Sequence, residues 1–596
     1  MKIKERKEVA AINTWDTSVL YPSQSEWQTD CTALKAEIKT FVQYKGKLAS
    51  SAQTFLAAFT EWLNLSRKFH KIYTFAHMNA DVDTTNSEAQ GQLQIAFSLY
   101  SELGAITSFM RPEILLIPND ILSKFLAEPS FKPYLRTINE IARYKPHTLS
   151  SSEENLLALG TEVLAAPNNI FGQLNNADFD FGTIIENGVE KPLTHGTYFS
   201  FLKSENREIR KEAFEKHYGV FDAHKNTLSA VLTASIKRDV FASRARNHNS
   251  SLEMSLFPDY VPLSLYDNLV TTVTKRIATV HRIYNIKKKL LNLSELEFYD
   301  INVQPKIDVK FNYTYEEASK LLIESLAPLG EEYTTVLTEG LLTERWTDRY
   351  ENKGKRSGAY STSCYEAHPF LLMNYKDEEI RDIFTLTHEA GHAMHSYFSN
   401  KHQPYQDHDY PIFTAEVAST FNEQLLFHHM MKNITDPKER IFLLNHRIDD
   451  INATLFRQTQ YAEFEKIVHE VAEKSEPLTV DLYRKIWSDL LLKYHGSAVK
   501  ITLPADLGCF RIPHFYNAFY VYKYATGLAA AIALSEKVLN EGAVARDKYL
   551  NFIRSGCSKP PLDLLKEAGV DLLSPEPVEK AIDLVDRLVN ELEESL

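Results

Sequence analysis

Apolar residues recur three and four positions apart along most of the chain, the spacing of helices that bury one face. The first clear case follows a capping-box pattern at Ser23 and Glu26. Trp27, Leu34, Ile38 and Phe41 then mark a stripe that also takes in Cys31, which reads as a buried thiol. Further amphipathic segments cover 52–110 and 122–144. Between Phe179 and His195 the texture changes. Residues 181–185 and 189–193 flank Asn187-Gly188, the pair best suited to a two-residue hairpin turn, so two short strands are expected. A soft boundary near residue 190 divides the chain into an N-terminal helical domain, 1–190, and a larger domain, 191–596. Helical spacing resumes at Arg207, and a second capping box, Thr314 with Glu317, opens a helix towards Leu326. Gly354 and Gly358 bracket a basic loop (Lys355, Arg356), after which 359–363 reads as a strand ending before His368-Pro369. A last amphipathic helix spans 578–592. The expected fold is mainly α with a small β element.

Composition sharpens this picture. Only 20 of 596 residues are glycine, well under the usual share of about 7%, which favours helices over turn-rich folds. The formal net charge is −13, and no basic run exceeds Lys287, Lys288 and Lys289, so a nucleic-acid partner is not expected. Cys31, Cys364, Cys509 and Cys557 lie far apart without CxxC spacing and read as free thiols of a reducing compartment. No apolar segment follows the charged start Met1 to Glu8, and no apolar run approaches ~18 residues. A cytoplasmic protein with no membrane partner is expected; oligomeric state is not readable.

The candidate chemistry is concentrated in Thr387-His388-Glu389-Ala390-Gly391-His392. Asp377, Glu378 and Glu379 suit a helix N-terminus, and Ile380, Phe384, His388 and His392 then fall on one slowly drifting face. Two imidazoles one turn apart can share one Zn²⁺, and Glu389 beside them can take a proton from water. The extended motif HExxHxxGxxH is excluded, because the chain has His395 where that motif needs a glycine and Phe398 where it needs a third histidine. His395 lies seven residues past His388, about 10.5 Å along a helix axis, and reads better as a neighbour of the ligands than as the third one. Downstream, Glu416 sits alone among small and apolar residues in Phe413-Thr414-Ala415-Glu416-Val417-Ala418-Ser419-Thr420, a costly place for an unpaired carboxylate. It is the preferred third ligand. Glu423, two turns on, could orient a ligand histidine. His402 and His408 read as loop residues.

A third group follows a Pro/Gly-punctuated loop. His514 precedes an expected helix carrying Tyr516, Tyr520 and Tyr524 in one row, which could be core or could donate to a developing oxyanion. Arg511 is either a surface charge or a partner for a substrate carboxylate. Cys509 has no base at readable spacing and receives no role.

Together, HEAGH at 388–392, FTAEVAST around Glu416 and RIPHFYNAFYVYKYATG at 511–527 resemble the thimet-oligopeptidase-like zinc metallopeptidases, oligoendopeptidase F being the nearest branch. Trp15-Asp16, Leu20-Tyr21-Pro22, Gly358-Ala359-Tyr360-Ser361 and the stretch from Arg457 to Glu465 extend the resemblance over almost the whole chain. The resemblance implies a helical zincin-type body with a deep central cleft and one Zn²⁺ held by His388, His392 and Glu416. It implies Glu389 as general base, with His514, Tyr516 and Tyr520 polarising the scissile carbonyl; Tyr522 and Tyr524 are further candidates. Tyr360 and its strand edge would hold an extended oligopeptide substrate. Two alternatives stand beside this endopeptidase reading: a helical peptide-binding scaffold with an inactive motif, and a metal hydrolase of non-peptide substrates.

Overall fold

The computed structural model describes residues 3–304, 307 and 309–595. It is 72% helical, with only a few short strands, as the periodicity requires. The helices that bear on function are α1 (Gln24–Thr40), α2 (Ala52–Val82), α3 (Ser87–Thr107), α4 (Arg207–Ala245), α5 (Ile380–His402), α6 (Ile412–Asn433), α7 (Arg457–Glu473), α8 (Val480–His495), α9 (Tyr522–Glu541) and α10 (Glu576–Glu594). The strands are β1 (Thr183–Glu186), β2 (Val189–Pro192), β3 (Thr347–Asp348), β4 (Tyr360–Thr362) and β5 (Phe370–Leu372).

The chain forms two compact units, each assembled from separated segments. Unit 1 comprises Met1–Thr148, Lys310–Asn433 and Leu534–Val570; unit 2 comprises Leu149–Val309, Ile434–Ala533 and Asp571–Leu596. Residue 190, where the sequence suggests a boundary, lies within the β1–β2 hairpin of unit 2. Chain texture changes there, but packing divides elsewhere.

Unit 1 has an aromatic-rich core. Ser23 caps α1 by accepting from the Glu26 N–H, and Trp27, Cys31, Leu34 and Ile38 are buried as the stripe predicts. Their neighbours include Phe55, Phe59 and Phe75 of α2, and the Trp27 indole donates to the Ile72 carbonyl at 3.1 Å. The small sheet has strand order β3–β5–β4, with β4 antiparallel to β5 and forming an edge. Lys355, from the expected basic loop, is not a surface charge. Its ammonium is fully buried, 2.7 Å from Asp348 Oδ1, and donates to the carbonyls of Tyr350 (2.7 Å) and Met373 (2.6 Å). It ties the ends of β3 and β5 together.

The decisive packing in unit 1 is between α5 and α6. Gly391 sits where they cross, and a Cβ there would lie 2.6 Å from Ser419 Cα and 2.7 Å from the Ala418 carbonyl oxygen. Only a residue without a side chain permits that approach.

Unit 2 is organised around α4. Phe214, Tyr218, Phe221, Leu228, Leu232 and Ile236 of α4 are buried, and Arg210 pairs with the fully buried Asp300 at 2.8 Å. The hairpin turn is as expected: Asn187 and Gly188 both have left-handed backbone (φ 54° and 76°), and Glu186 pairs with Val189. The amphipathic helix α10 buries Val578, Ile582, Val585, Val589 and Leu592.

The α5–α6 crossing generates a prediction. Gly391→Ala should destabilise unit 1 by about 1–3 kcal/mol, the usual penalty for overpacking, and should weaken metal binding as well. Denaturant unfolding and metal titration of the variant check this; wild-type values in both would mean that the helices do not depend on this contact.

Candidate metal centre

The site in unit 1 is built from two helices. α5 starts after Glu379, with Asp382 in its first turn accepting from the Lys376 N–H at 2.9 Å. His388 and His392 then stand one turn apart, their Nε2 atoms 3.2 Å from each other. α6 brings Glu416, whose Oε2 lies 3.4 Å from His388 Nε2 and 3.9 Å from His392 Nε2. A tetrahedral ion with bonds of about 2.0–2.1 Å separates its ligand atoms by about 3.4 Å, so this donor set fits such an ion. Among the described residues it is the one group of three or more His, Cys, Asp or Glu side chains arranged to hold a metal. His388, His392 and Glu416 are all partly exposed.

The remaining contacts orient these candidate donors. Glu423 Oε1 lies 2.5 Å from His388 Nδ1, which turns Nε2 towards the other two donors. The His392 ring is held by a backbone hydrogen bond at Ala415, beside Glu416. Ser419 Oγ donates to the Glu416 carbonyl at 3.0 Å. Burial alone would lower the His388 pKa, but the Glu423 hydrogen bond and the charges of Glu423, Glu389 and Glu416 outweigh it and carry it to about 9. In the metal-free protein His388 is therefore an imidazolium among carboxylates, and a cation entering the site takes over its charge. His392 is pushed down to about 3 by burial and the adjacent His388 charge, so its lone pair is free.

His395 is not part of this candidate donor group. It is buried, stacked on Tyr410 at 3.5 Å with the rings 5° from parallel, and burial lowers its pKa to about 3. Tyr410 in turn bonds Ser396 Oγ (2.8 Å) and the His392 carbonyl (3.2 Å). His402 ends α5, and His408 is buried with Nδ1 2.8 Å from Asn400 Oδ1; neither joins the site.

Glu389 is buried beside the ligands. Burial raises its pKa to about 7; the His388 charge opposes this, Glu416 adds to it, and a backbone hydrogen bond from Ser361 lowers it somewhat. A carboxylate near neutrality can both accept and return a proton. Ser361 belongs to β4, so the edge strand meets the carboxylate directly. Neither this contact nor the Tyr410 support has a local sequence signal; Gly391 within the motif is the readable sign of a close helix approach. Tyr360, on the same strand, turns its hydroxyl to Asp81 Oδ2 at 2.9 Å.

In unit 2 the expected tyrosine row does not form. α9 begins only at Tyr522. Phe519 has a left-handed backbone (φ 63°), and its N–H donates to the buried Glu465 Oε1 at 3.0 Å, which breaks the row. Tyr516 instead lies in a 3-10 turn, buried and stacked on Phe171 at 4.2 Å, and Tyr522 is buried against Tyr266. Tyr520 and Tyr524 do come together: their hydroxyls are 3.2 Å apart, and Tyr520 stacks on His514 with ring centres 5.4 Å apart. Burial lowers the His514 pKa. Arg511 is not a surface charge; it lies among Tyr198, Phe199 and Tyr218.

Comparison with known proteins decides the family. The model of peptidase family M3 matches residues 200–584, and that of the oligopeptidase F N-terminal region matches 113–181. The chain belongs to peptidase family M3. It is 44% identical to oligopeptidase PepF of Bacillus subtilis (strain 168) over all of this chain and 89% of that protein. It is 36% identical to the oligoendopeptidase F homolog of Lactococcus lactis subsp. lactis, covering 99% and 98% of the two chains. The crystal structure of oligoendopeptidase-F from Enterococcus faecium superposes with a TM-score of 0.73 at 34% identity, over 96% of this chain and 99% of that one. A crystal structure from Chlamydophila abortus gives 0.94 at 34% identity over the full length of both chains. This M3 chain is therefore an enzyme, a metallopeptidase, and the scaffold alternative falls away. The two family models meet between 181 and 200, around the hairpin, although the compact units do not divide there.

The geometry predicts one bound metal per chain by elemental analysis of protein prepared with zinc. Glu416→Ala should lose most of its metal affinity and His395→Ala little, while Glu423→Gln should bind about 10–100-fold more weakly. Equal losses at Glu416 and His395, measured by competitive chelation, would overturn this ligand assignment.

Proposed function

We propose that this M3 metallopeptidase is a zinc endopeptidase that cleaves internal bonds of short oligopeptides, with Glu389 as general base. The observation that carries the reading is the pairing of a tetrahedral donor set, His388, His392 and Glu416, with a buried carboxylate whose pKa lies near neutrality. The donor set, two imidazoles and one carboxylate, is chemistry suited to Zn²⁺. Zinc, when bound, would polarise a carbonyl and acidify water.

The chain's own residues supply the rest. Glu389 takes one proton from the attacking water as its oxygen bonds to the scissile carbonyl carbon. The same carboxyl then returns that proton to the departing nitrogen as the C–N bond breaks. The Ser361 N–H holds the carboxylate in place from β4. His514, Tyr520 and Tyr524 are the donors assigned to the developing oxyanion; Tyr516 and Tyr522 are assigned to the core on their burial. The free edge of β4 suits an extended peptide, which main-chain bonds would hold with weak sequence preference. The names of the relatives, oligopeptidase and oligoendopeptidase, support short peptides as substrates. The four cysteines are unpaired, and no helix among the described residues is long and apolar enough to cross a membrane, which supports a cytoplasmic site of action.

Two outcomes test this. Glu389→Gln should retain its metal and lose turnover of a quenched fluorescent peptide by about 10²–10⁴-fold; near-normal turnover would remove Glu389 from the base role. Tyr520→Phe or Tyr524→Phe should lower kcat by about 10²–10³-fold with KM nearly constant, because the bond strengthens only as charge develops. Tyr516→Phe and Tyr522→Phe should shift Tm mildly and leave kcat alone. Should all four keep normal turnover, no tyrosine of this segment stabilises the oxyanion.

A further inference from the structure

Between the turn that ends at Tyr516 and the start of α9 at Tyr522, residues 517–521 belong to no helix or strand. Side chains of three separate elements of unit 2 hold the backbone here. The Tyr516 carbonyl accepts from Arg238 of α4 at 3.2 Å, and the Ala518 carbonyl accepts from the Ser255 hydroxyl at 3.3 Å. The third contact is the shortest: the Phe519 N–H donates to Glu465 Oε1 of α7 at 3.0 Å. Phe519 is also the residue with left-handed backbone (φ 63°), a conformation that a bulky side chain rarely adopts and that persists only where its surroundings enforce it. Its ring is buried against His469 at 4.4 Å and Tyr266 at 6.1 Å.

Glu465 is an expensive residue in this place. It is 1% exposed, and the Phe519 N–H is the one hydrogen-bond partner of its carboxyl among the described residues, Oε2 having none. Burial raises its pKa well above the usual carboxylate range; the Phe519 bond opposes this, the Asp239 charge adds to it, and no positive charge enters. A leucine or methionine would fill the same space without that cost, but it would leave a buried backbone N–H unpaired. The neighbour of Glu465 on α7, Phe464, packs on Phe515 with ring centres 4.8 Å apart. Two adjacent residues of α7 thus hold Phe515 and Phe519, the residues next to His514 and Tyr520. Phe515, Tyr516, Phe519 and Tyr522 are buried, whereas His514, Tyr520 and Tyr524 stay partly exposed.

We propose that Glu465 is a positioning residue for the peptidase reaction: as acceptor for the Phe519 N–H it fixes the left-handed turn that stacks Tyr520 on His514 and brings the Tyr520 hydroxyl to Tyr524. The inference rests on the assignment of His514, Tyr520 and Tyr524 to the oxyanion, and adds what holds them in place. Glu465 acts through the backbone. The requirement is for an acceptor of this length and not for a charge, since no positive charge accompanies the carboxyl. Donors to a developing oxyanion act only if their geometry is set before the reaction, so a turn that relaxes costs turnover and not binding.

The test uses the full-length protein with its metal and a quenched fluorescent peptide, with kcat, KM and Tm measured for each variant and amide hydrogen exchange followed over 513–524. Glu465→Gln keeps the acceptor and should stay within about twofold of wild-type kcat. Glu465→Leu removes it and should lower kcat by about 10²-fold with KM nearly constant, while exchange quickens in 513–524 and not elsewhere. Glu465→Asp draws the acceptor back from Phe519 and should move the same readouts in the same direction, which keeps the test open where Leu does not fold. Adding Glu465→Leu to Tyr520→Phe should cost no further turnover, because both act on one group. A role in stability alone would lower Tm and leave kcat per metal-loaded molecule unchanged. The proposal is overturned if Tyr520→Phe loses turnover while the Leu and Asp variants keep it, or if Gln is as damaging as Leu. Should Tyr520→Phe, Tyr524→Phe and His514→Ala all keep normal turnover, the oxyanion assignment itself has failed, and the role of Glu465 in the reaction falls with it.

Discussion

The close crossing of α5 and α6 at Gly391 is the contact on which the metal centre depends. Two imidazoles from one helix cannot complete a tetrahedral donor set, and a carboxylate buried alone in the other would be costly. With no side chain at Gly391, the backbones approach until Glu416 Oε2 stands 3.4 Å from His388 Nε2. Glu423, two turns further along α6, reaches the opposite nitrogen of His388 at the same time. One helix contact therefore sets both the donors and their tautomer.

Around this contact the electrostatics are frustrated. His388, Glu389, Glu416 and Glu423 gather more negative than positive charge in a largely buried space, and without a metal the compromise is an imidazolium at His388. A divalent cation resolves the conflict better, because it neutralises the carboxylates without holding a proton on the ligand. Glu389 is the member left with a proton equilibrium near neutrality, and β4 contacts it through Ser361. The small sheet thus meets the same carboxylate, and the buried Lys355 ties the ends of β3 and β5 together.

Unit 2 shows how a charged residue changes meaning with burial. Arg511, open in the sequence as a surface charge or a partner for a substrate carboxylate, is partly buried, with the rings of Tyr198, Phe199 and Tyr218 at 5.5, 5.5 and 5.8 Å. Glu465 has a comparable effect on the backbone. By accepting from the Phe519 N–H it stabilises a left-handed residue, and the segment from Tyr516 to Tyr520 leaves the helical path. A buried carboxyl on a distant segment therefore decides which phenols meet His514.

Local chemistry by itself determined a good deal of this protein. The 3.6-residue period determined the helices, Ser23 and Asn187-Gly188 determined an N-cap and a hairpin turn, and the four-residue spacing of His388 and His392 determined that both imidazoles share a helix face. Each of these depends on residues only a few positions apart, within reach of backbone geometry. Glu416 was recognisable as a misplaced carboxylate, because burial without a partner is costly wherever it occurs, and Glu423 by its place two turns further on. What tertiary structure alone decided is who the partners are. Ser361 on Glu389, Tyr410 on His395, the division of the chain into two discontinuous units and the fate of the tyrosine row all join segments far apart in sequence. Their energies come from packing and desolvation, which no local pattern encodes.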